Sequence, residues 1–213
     1  MSRLTLFIAN KTYSSWSFRP WLAMRMAGID FDEELIPFSA GGSNPAFRAF
    51  SPTGKVPVLR DGDLVIWETL AILEYLAETY PAIWPRDASA RARARAISSE
   101  MHAGFQALRN ECPMNMRRPR RAIPVSAAAQ ADVVRITEIW TSALTQSGGP
   151  FLYGEFFAAD AMFAPVVNRF DVYALTEDAD VLAYMERVKA LPPYLEWAEA
   201  SRDEPWVVPE EEH

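Results

Sequence analysis

Over the first eighty residues, short apolar runs alternate with turn-forming residues, a rhythm that predicts a small mixed sheet with helices between its strands. Residues 4–9 form a continuous apolar run closed by Asn10 and Lys11, as in a strand buried on both faces. From Ser15 or Ser17 the spacing becomes helical through Trp21, Leu22, Arg25 and Met26, and it stops at Gly28, a natural helix terminator. Residues 31–36, 56–59 and 64–67 read as three further strands. Asp61-Gly62 predicts a tight antiparallel hairpin between the last two, because both residues tolerate the positive φ such turns need. Residues 68–80 return to helical spacing, with Leu70, Leu73, Leu76 and Tyr80, and Pro81 stops them. The predicted order is βαβ followed by ββα.

Beyond Pro81 and Pro85 the strand signals end and alanine-rich amphipathic segments take over, which predicts two domains, 1–80 and an all-helical 88–213. Val133, Ile136, Trp140 and Leu144 make one helical stripe, closed by Gly148, Gly149 and Pro150. Residues 161–173 and 181–191 give two more helices, and Pro192-Pro193 predicts a break before 194–200. Arg91, Arg93 and Arg95, alternating with alanines, read as the basic exposed face of a helix.

Composition narrows the function classes. Half of the 213 residues are hydrophobic, enough for one large core or two modest ones. A net charge of −7 argues against nucleic acid or an anionic membrane as partner, and favours small molecules or proteins. A single cysteine, Cys112, excludes an internal disulfide framework, and with His102 and His213 as the only histidines no cluster has zinc-site spacing. The apolar N-terminal run is too short for a secretion signal and no stretch approaches a membrane span, so a cytoplasmic location is expected.

The segment Ser51-Pro-Thr-Gly-Lys-Val-Pro-Val-Leu59, standing before a hairpin and a helix that opens Trp67-Glu68-Thr69, resembles the glutathione-binding signature of the glutathione S-transferase family. The resemblance implies an α/β thioredoxin-like N-terminal domain with a mixed four-stranded sheet, followed by an all-α bundle. It also implies a cis peptide bond before Pro57, which turns the backbone of Val56 toward the ligand. Val56 then pairs with the cysteinyl backbone of glutathione as a short strand does. Glu68 and Thr69 open a helix whose exposed N–H groups attract the γ-glutamyl carboxylate, and Glu68 can meet the ligand ammonium. Thr69 stands where serine is commoner in the family.

Tyr13-Ser-Ser-Trp-Ser-Phe-Arg19, between the first strand and first helix, is similar to the Ser-Ser-Cys-x-x-Arg motif of zeta-class transferases, which include maleylacetoacetate isomerases. A thiol is only a few per cent ionised near neutral pH, so a hydroxyl donor near a helix start raises its reactivity by favouring thiolate. Ser14 is the first candidate donor, Ser15 the alternative and Tyr13 the third, with Ser17 expected as a capping residue. All three serines can also serve simply as caps. Trp16 stands where the zeta motif has cysteine, which argues against the isomerase reaction, and Pro20 follows Arg19, which reads as structural.

For the glycine carboxylate of glutathione the candidates are Lys55 and Asn10 or Lys11. Gly41-Gly42-Ser43-Asn44 lacks phosphate-loop spacing and is expected to be a mobile rim. Arg117, Arg118, Arg120 and Arg121 are expected to form a solvated loop or a rim for anionic substrates, and His102, Phe105, Cys112 and Met116 to pack in the core. Asp160 resembles the family's helix-start aspartate, although Phe157 replaces the usual capping hydroxyl. The resemblance implies a glutathione transferase in which serine activates the thiol for attack on a small electrophile, with glutathione as co-substrate and a homodimer as the assembly. Maleylacetoacetate-type isomerisation and a non-catalytic glutathione-fold binder are the alternatives.

Overall fold

The N-terminal apolar run forms β1 (Leu4–Ile8), followed by α1 (Ser15–Met26), β2 (Phe31–Leu35), the hairpin strands β3 (Val58–Asp61) and β4 (Leu64–Trp67), and α2 (Thr69–Thr79). In this computed structural model, which describes residues 3–39 and 42–212, the sheet has the order β2-β1-β3-β4. Gly41 of the expected rim, and His213, lie outside the described residues. β1 pairs parallel with β2 and antiparallel with β3, and β3 pairs antiparallel with β4. Being interior to the sheet, β1 needs apolar residues on both faces: Leu6 and Ile8 on one are wholly buried, and Phe7 on the other is buried too.

Two local expectations are corrected. The hairpin residues are Gly62 and Asp63, because Asp61 pairs with Leu64 and ends β3, and of these only Gly62 has positive φ (58°). β3 starts at Val58 rather than Val56, which leaves the Val56 peptide outside the ladder.

Among the described residues six α-helices follow: α3 (Ala88–Ala103), α4 (Gln106–Glu111), α5 (Ala127–Ser147), α6 (Ala158–Val172), α7 (Ala179–Lys189) and α8 (Pro192–Arg202). The glycine stop after the Val133 stripe is real: Gly148 ends α5 in the left-handed conformation, φ 76°. Pro192 and Pro193 do not break the chain before a helix. They occupy the first turn of α8, where a missing N–H costs nothing.

α6 is buried almost all round, as befits the central helix of a domain, and packs against α1. Its start is fixed by Asp160, whose carboxylate accepts the Leu152 N–H (3.1 Å), the Phe157 N–H (3.0 Å) and the Tyr184 hydroxyl (3.0 Å). With phenylalanine at the cap, only the aspartate half of the reciprocal capping pair is made. On the other side of α1, Phe18 stacks on Trp197 at 4.8 Å and Trp21 meets the same ring edge-on at 5.0 Å, tying α1 to α8. Thus α1, which carries the serines, is held between the sheet and two helices of the C-terminal domain.

Candidate active site

The turn from β1 into α1 is closed by the Tyr13 and Ser14 N–H groups donating to the Asn10 carbonyl (3.2 and 2.8 Å). Ser14 is the cap residue of α1, but its side chain caps no backbone group; its hydroxyl donates to Ser17 Oγ at 2.7 Å. Ser17, expected as the cap, is buried one turn in and accepts the Ala9 N–H at 3.3 Å. Ser15 is half-buried, and its hydroxyl has no protein partner among the described residues.

Opposite the serines lies residue 56. The Val56–Pro57 peptide is cis, and the Val56 N–H and C=O have no intramolecular partner among the described residues. An unpaired peptide beside a cleft is a place for a ligand's own backbone. Two cavities meet there. One, of about 350 Å³, is lined by Ser14, Ser15, Val56 and Arg169; the other, of about 230 Å³, by Pro57, Glu68, Thr69 and His102. Trp16, Lys55, Val56 and Arg109 border both.

At the second cavity, Glu68 sits immediately before α2 with φ 68° and ψ 125°, a sparsely populated positive-φ conformation that costs a non-glycine residue on the order of 1–3 kcal/mol. Its carboxylate is largely exposed, 3.9 Å from His102 Nε2. The Thr69 hydroxyl is not aimed at a ligand: it donates to the Trp16 carbonyl at 3.2 Å and is buried, so Thr69 offers the cavity its helix-start N–H. Lys55 is exposed, with its N–H on Ser51 Oγ at 3.1 Å.

Other expected residues are placed elsewhere. Lys11 pairs with Glu33 at 2.8 Å and lies over the Trp21 and Trp197 rings, while Asn10 accepts the Phe38 N–H at 2.6 Å; neither borders the cavities. Tyr13 does border the first cavity, but its hydroxyl is bound to Glu212 and accepts from Arg117 at 2.8 Å, and burial with the Glu212 contact raises its pKa. Cys112 and Phe105 pack in the core as expected, burial pushing the Cys112 thiol up to about 11. His102 instead reaches the second cavity, edge-on to Trp16 at 5.2 Å.

Arg19, Arg109 and Arg169 give the site its electrostatics. Trp16 has the Arg19 guanidinium 4.1 Å and the Arg109 guanidinium 4.8 Å from its ring centroid. Arg19 is structural, donating to the Met162 carbonyl (2.9 Å) and the Ser15 carbonyl (2.8 Å), and so fixes α1 to α6. Among the described residues Arg109 has only the Gly104 carbonyl, at 3.4 Å, as a hydrogen-bond partner, and burial lowers its pKa. Arg169 donates to the Cys112 carbonyl at 2.8 Å; burial, then Arg109, bring its pKa down to about 10. Cations held this way, against their own desolvation and each other, favour an anion in the cleft. Arg109 and Arg169 escaped the sequence reading, yet a lone arginine inside the apolar run 161–173 was a usable signal for the second.

The fold is a thioredoxin-like domain joined to a helical one, with its cleft between the first helix and a cis-proline loop. The sequence matches the family model of the glutathione S-transferase N-terminal domain over residues 13–79. It is 30% identical over 165 residues to the probable maleylacetoacetate isomerase of Caenorhabditis elegans, covering 75% of this chain and 77% of that one. To the maleylacetoacetate isomerase of Rattus norvegicus it is 32% identical over 162 residues, 72% and 73% of the two chains. Among solved structures, a glutathione transferase homolog from Burkholderia with bound glutathione matches with a TM-score of 0.73 and 23% identity, over 96% of this chain and all of that one. The chain belongs to the glutathione S-transferase family and is zeta-like within it. Glutathione is the co-substrate of that family's enzymes.

Proposed function

We propose that the chain conjugates glutathione to a small electrophile, with Ser14 as hydrogen-bond donor to the thiolate. The observation that carries this reading is the unpaired Val56 peptide standing where the two cavities join, with the serines on one side and the start of α2 on the other. A tripeptide paired to Val56 through its cysteine extends its γ-glutamyl carboxylate to the N–H groups opening α2, its ammonium to Glu68 and its glycine carboxylate toward Lys55. Its sulfur then lies beside Ser14 and Ser15, at the positive end of α1. The Ser14–Ser17 pair favours Ser14 over Ser15 as the donor. If Ser17 turns its hydroxyl to Ser14, the Ser14 proton is released to the sulfur, and the Ala9 N–H on Ser17 polarises that chain. The thiolate attacks the electrophilic carbon in the larger cavity, the new carbon–sulfur bond forming as the leaving group departs with its electron pair.

Glutathione titration by calorimetry, followed by a conjugation assay with a chlorinated nitroaromatic, tests this. The wild type should bind and turn over, and Ser14→Ala should bind with turnover reduced at least tenfold. Binding without turnover in the wild type would instead support the non-catalytic binder.

Isomerisation of a carboxylate-bearing substrate is the second reading, favoured by Arg109 and Arg169 at the cavity and by the relatives' names. Trp16, at the cysteine position of the zeta motif, weighs against it. Turnover of maleylacetoacetate comparable with that of cysteine-bearing relatives would show that Trp16 is no obstacle. A two-fold dimer fits the exposed Leu64 and Trp67 on β4 and Val134 on α5. Light scattering giving twice the 24.0 kDa chain mass would support it.

A further inference from the structure

We propose that Glu204, just beyond α8, is a positioning residue for the reaction, holding the loop before Ser14 so that the serine hydroxyl meets the thiol. This rests on the function proposed above. The loop is short and polar, and the C-terminal domain satisfies its backbone groups one by one. The Glu204 carboxylate, buried at 8% exposure, accepts the Lys11 N–H on one oxygen (2.5 Å), and on the other the Thr12 N–H (3.0 Å) and the Thr12 hydroxyl (2.8 Å). The Lys11 carbonyl accepts from Trp197 Nε1 at 2.8 Å, and the Thr12 carbonyl from the Met116 N–H at 3.1 Å. Arg117 anchors the Glu204 main chain, donating to its carbonyl at 2.8 Å.

Residue type matters here. Each oxygen accepts one N–H, from Lys11 and from Thr12, while the single Thr12 hydroxyl proton is shared between the carboxylate and the Ser201 carbonyl (3.1 Å). A carboxylate accepts on both sides, and a carboxamide, whose NH2 group would face one of the two N–H groups, does not. No cation pairs with the Glu204 side chain among the described residues; the nearby Lys11 ammonium goes to Glu33 instead. The Ser14 side chain makes no cap bond to the backbone of α1; its hydroxyl rests on Ser17 Oγ (2.7 Å), and its main chain is placed by the loop that Glu204 holds, through the Ser14 N–H on the Asn10 carbonyl (2.8 Å). Thr12 is separated from Glu204 by 192 residues, and the carboxylate reaches the reaction only through the position of Ser14.

The test measures the ultraviolet thiolate absorbance of bound glutathione against pH, with calorimetric affinity and the pH profile of conjugation, for wild type, Glu204→Gln, Glu204→Ala, Ser14→Ala and the Ser14→Ala/Glu204→Ala double variant. Glu204→Ala should keep glutathione affinity within about twofold and raise the thiol pKa by about one, so that turnover near pH 7 drops about tenfold and recovers at alkaline pH. Glu204→Gln should fall between it and the wild type, and it carries the test alone if the alanine variant does not fold. In the Ser14→Ala background the Glu204 change should add little to the thiol pKa, because both act through one hydroxyl. A Glu204 variant that melts earlier but leaves thiol pKa and pH profile unmoved overturns the inference and shows a role in folding alone. If the wild type takes up no glutathione, or Ser14→Ala leaves the thiol pKa unchanged, the reading beneath it fails and the inference with it.

Discussion

Replacing Asp160 with alanine probes how the start of α6 is anchored, and its predicted signature lies in the pH dependence. Three donors converge on this wholly buried carboxylate: the Leu152 and Phe157 N–H groups and the Tyr184 hydroxyl. Burial raises its pKa from the ordinary 3.8 to about 6, outweighing the three donors, which act to lower it. At about 1.4 kcal/mol per tenfold, that displacement is worth ~3 kcal/mol of native stability. Because the folded-state pKa is the higher one, this contribution is fully present below about pH 3.8 and is lost as pH rises through about 6. Alanine leaves the donors unpaired, at roughly 1–3 kcal/mol for each that stays buried. The stability deficit of Asp160→Ala should therefore be large near pH 4 and smaller by up to ~3 kcal/mol near pH 7. Urea unfolding of both proteins at the two pH values measures it. A deficit that grows with pH would refute the reasoning, since it would mean that the donors hold the ionised form and burial loses. Because Arg19 links the Met162 carbonyl of α6 to the Ser15 carbonyl of α1, loosening the start of α6 should also lower glutathione turnover.

Three further outcomes are expected. If Lys55 meets the glycine carboxylate as proposed, Lys55→Ala, which removes an exposed charge bordering both cavities, should raise KM for glutathione about three- to tenfold with kcat little changed, read from steady-state kinetics. Arg109→Leu should cost an anionic electrophile more than tenfold in kcat/KM and a neutral one less than threefold; equal losses would place Arg109 outside the electrophile site. Cys112, buried and with its thiol pushed up to about 11, should resist a maleimide at pH 7 in the native protein and react once per chain in denaturant, counted by mass spectrometry.

Most of the sheet was legible in the sequence because β1 and β4 are largely apolar runs, β3 opens on an apolar pair after Pro57, and the Asp61-Gly62 signal separates β3 from β4, whereas β2 is apolar only at its two ends, Phe31 and Leu35. The Val56–Pro57 loop was legible through its motif, and the structure leaves the Val56 peptide open beside the serines. What local pattern missed depended on distant partners. Lys11 reads as a candidate for the glycine carboxylate of glutathione, yet Trp21 and Trp197 cover it and Glu33 pairs with it. Thr69 stands where serine is commoner in the family, but the Trp16 carbonyl, 53 residues away in sequence, takes its hydrogen bond. Ser17 reads as a cap because it stands near a helix start, whereas its partners are Ala9 and Ser14. Glu204 carried no signal at all, since an acidic residue after a helix is ordinary until the loop it holds is seen in three dimensions.

A crystal of the protein soaked with glutathione locates the sulfur. The tripeptide's cysteine should pair with the Val56 backbone, with its sulfur at hydrogen-bond distance from Ser14 Oγ and its γ-glutamyl group at the start of α2. A sulfur turned toward Tyr13 would take the donor role from Ser14, and a cleft that stays empty at millimolar glutathione would rule out the tripeptide as its ligand.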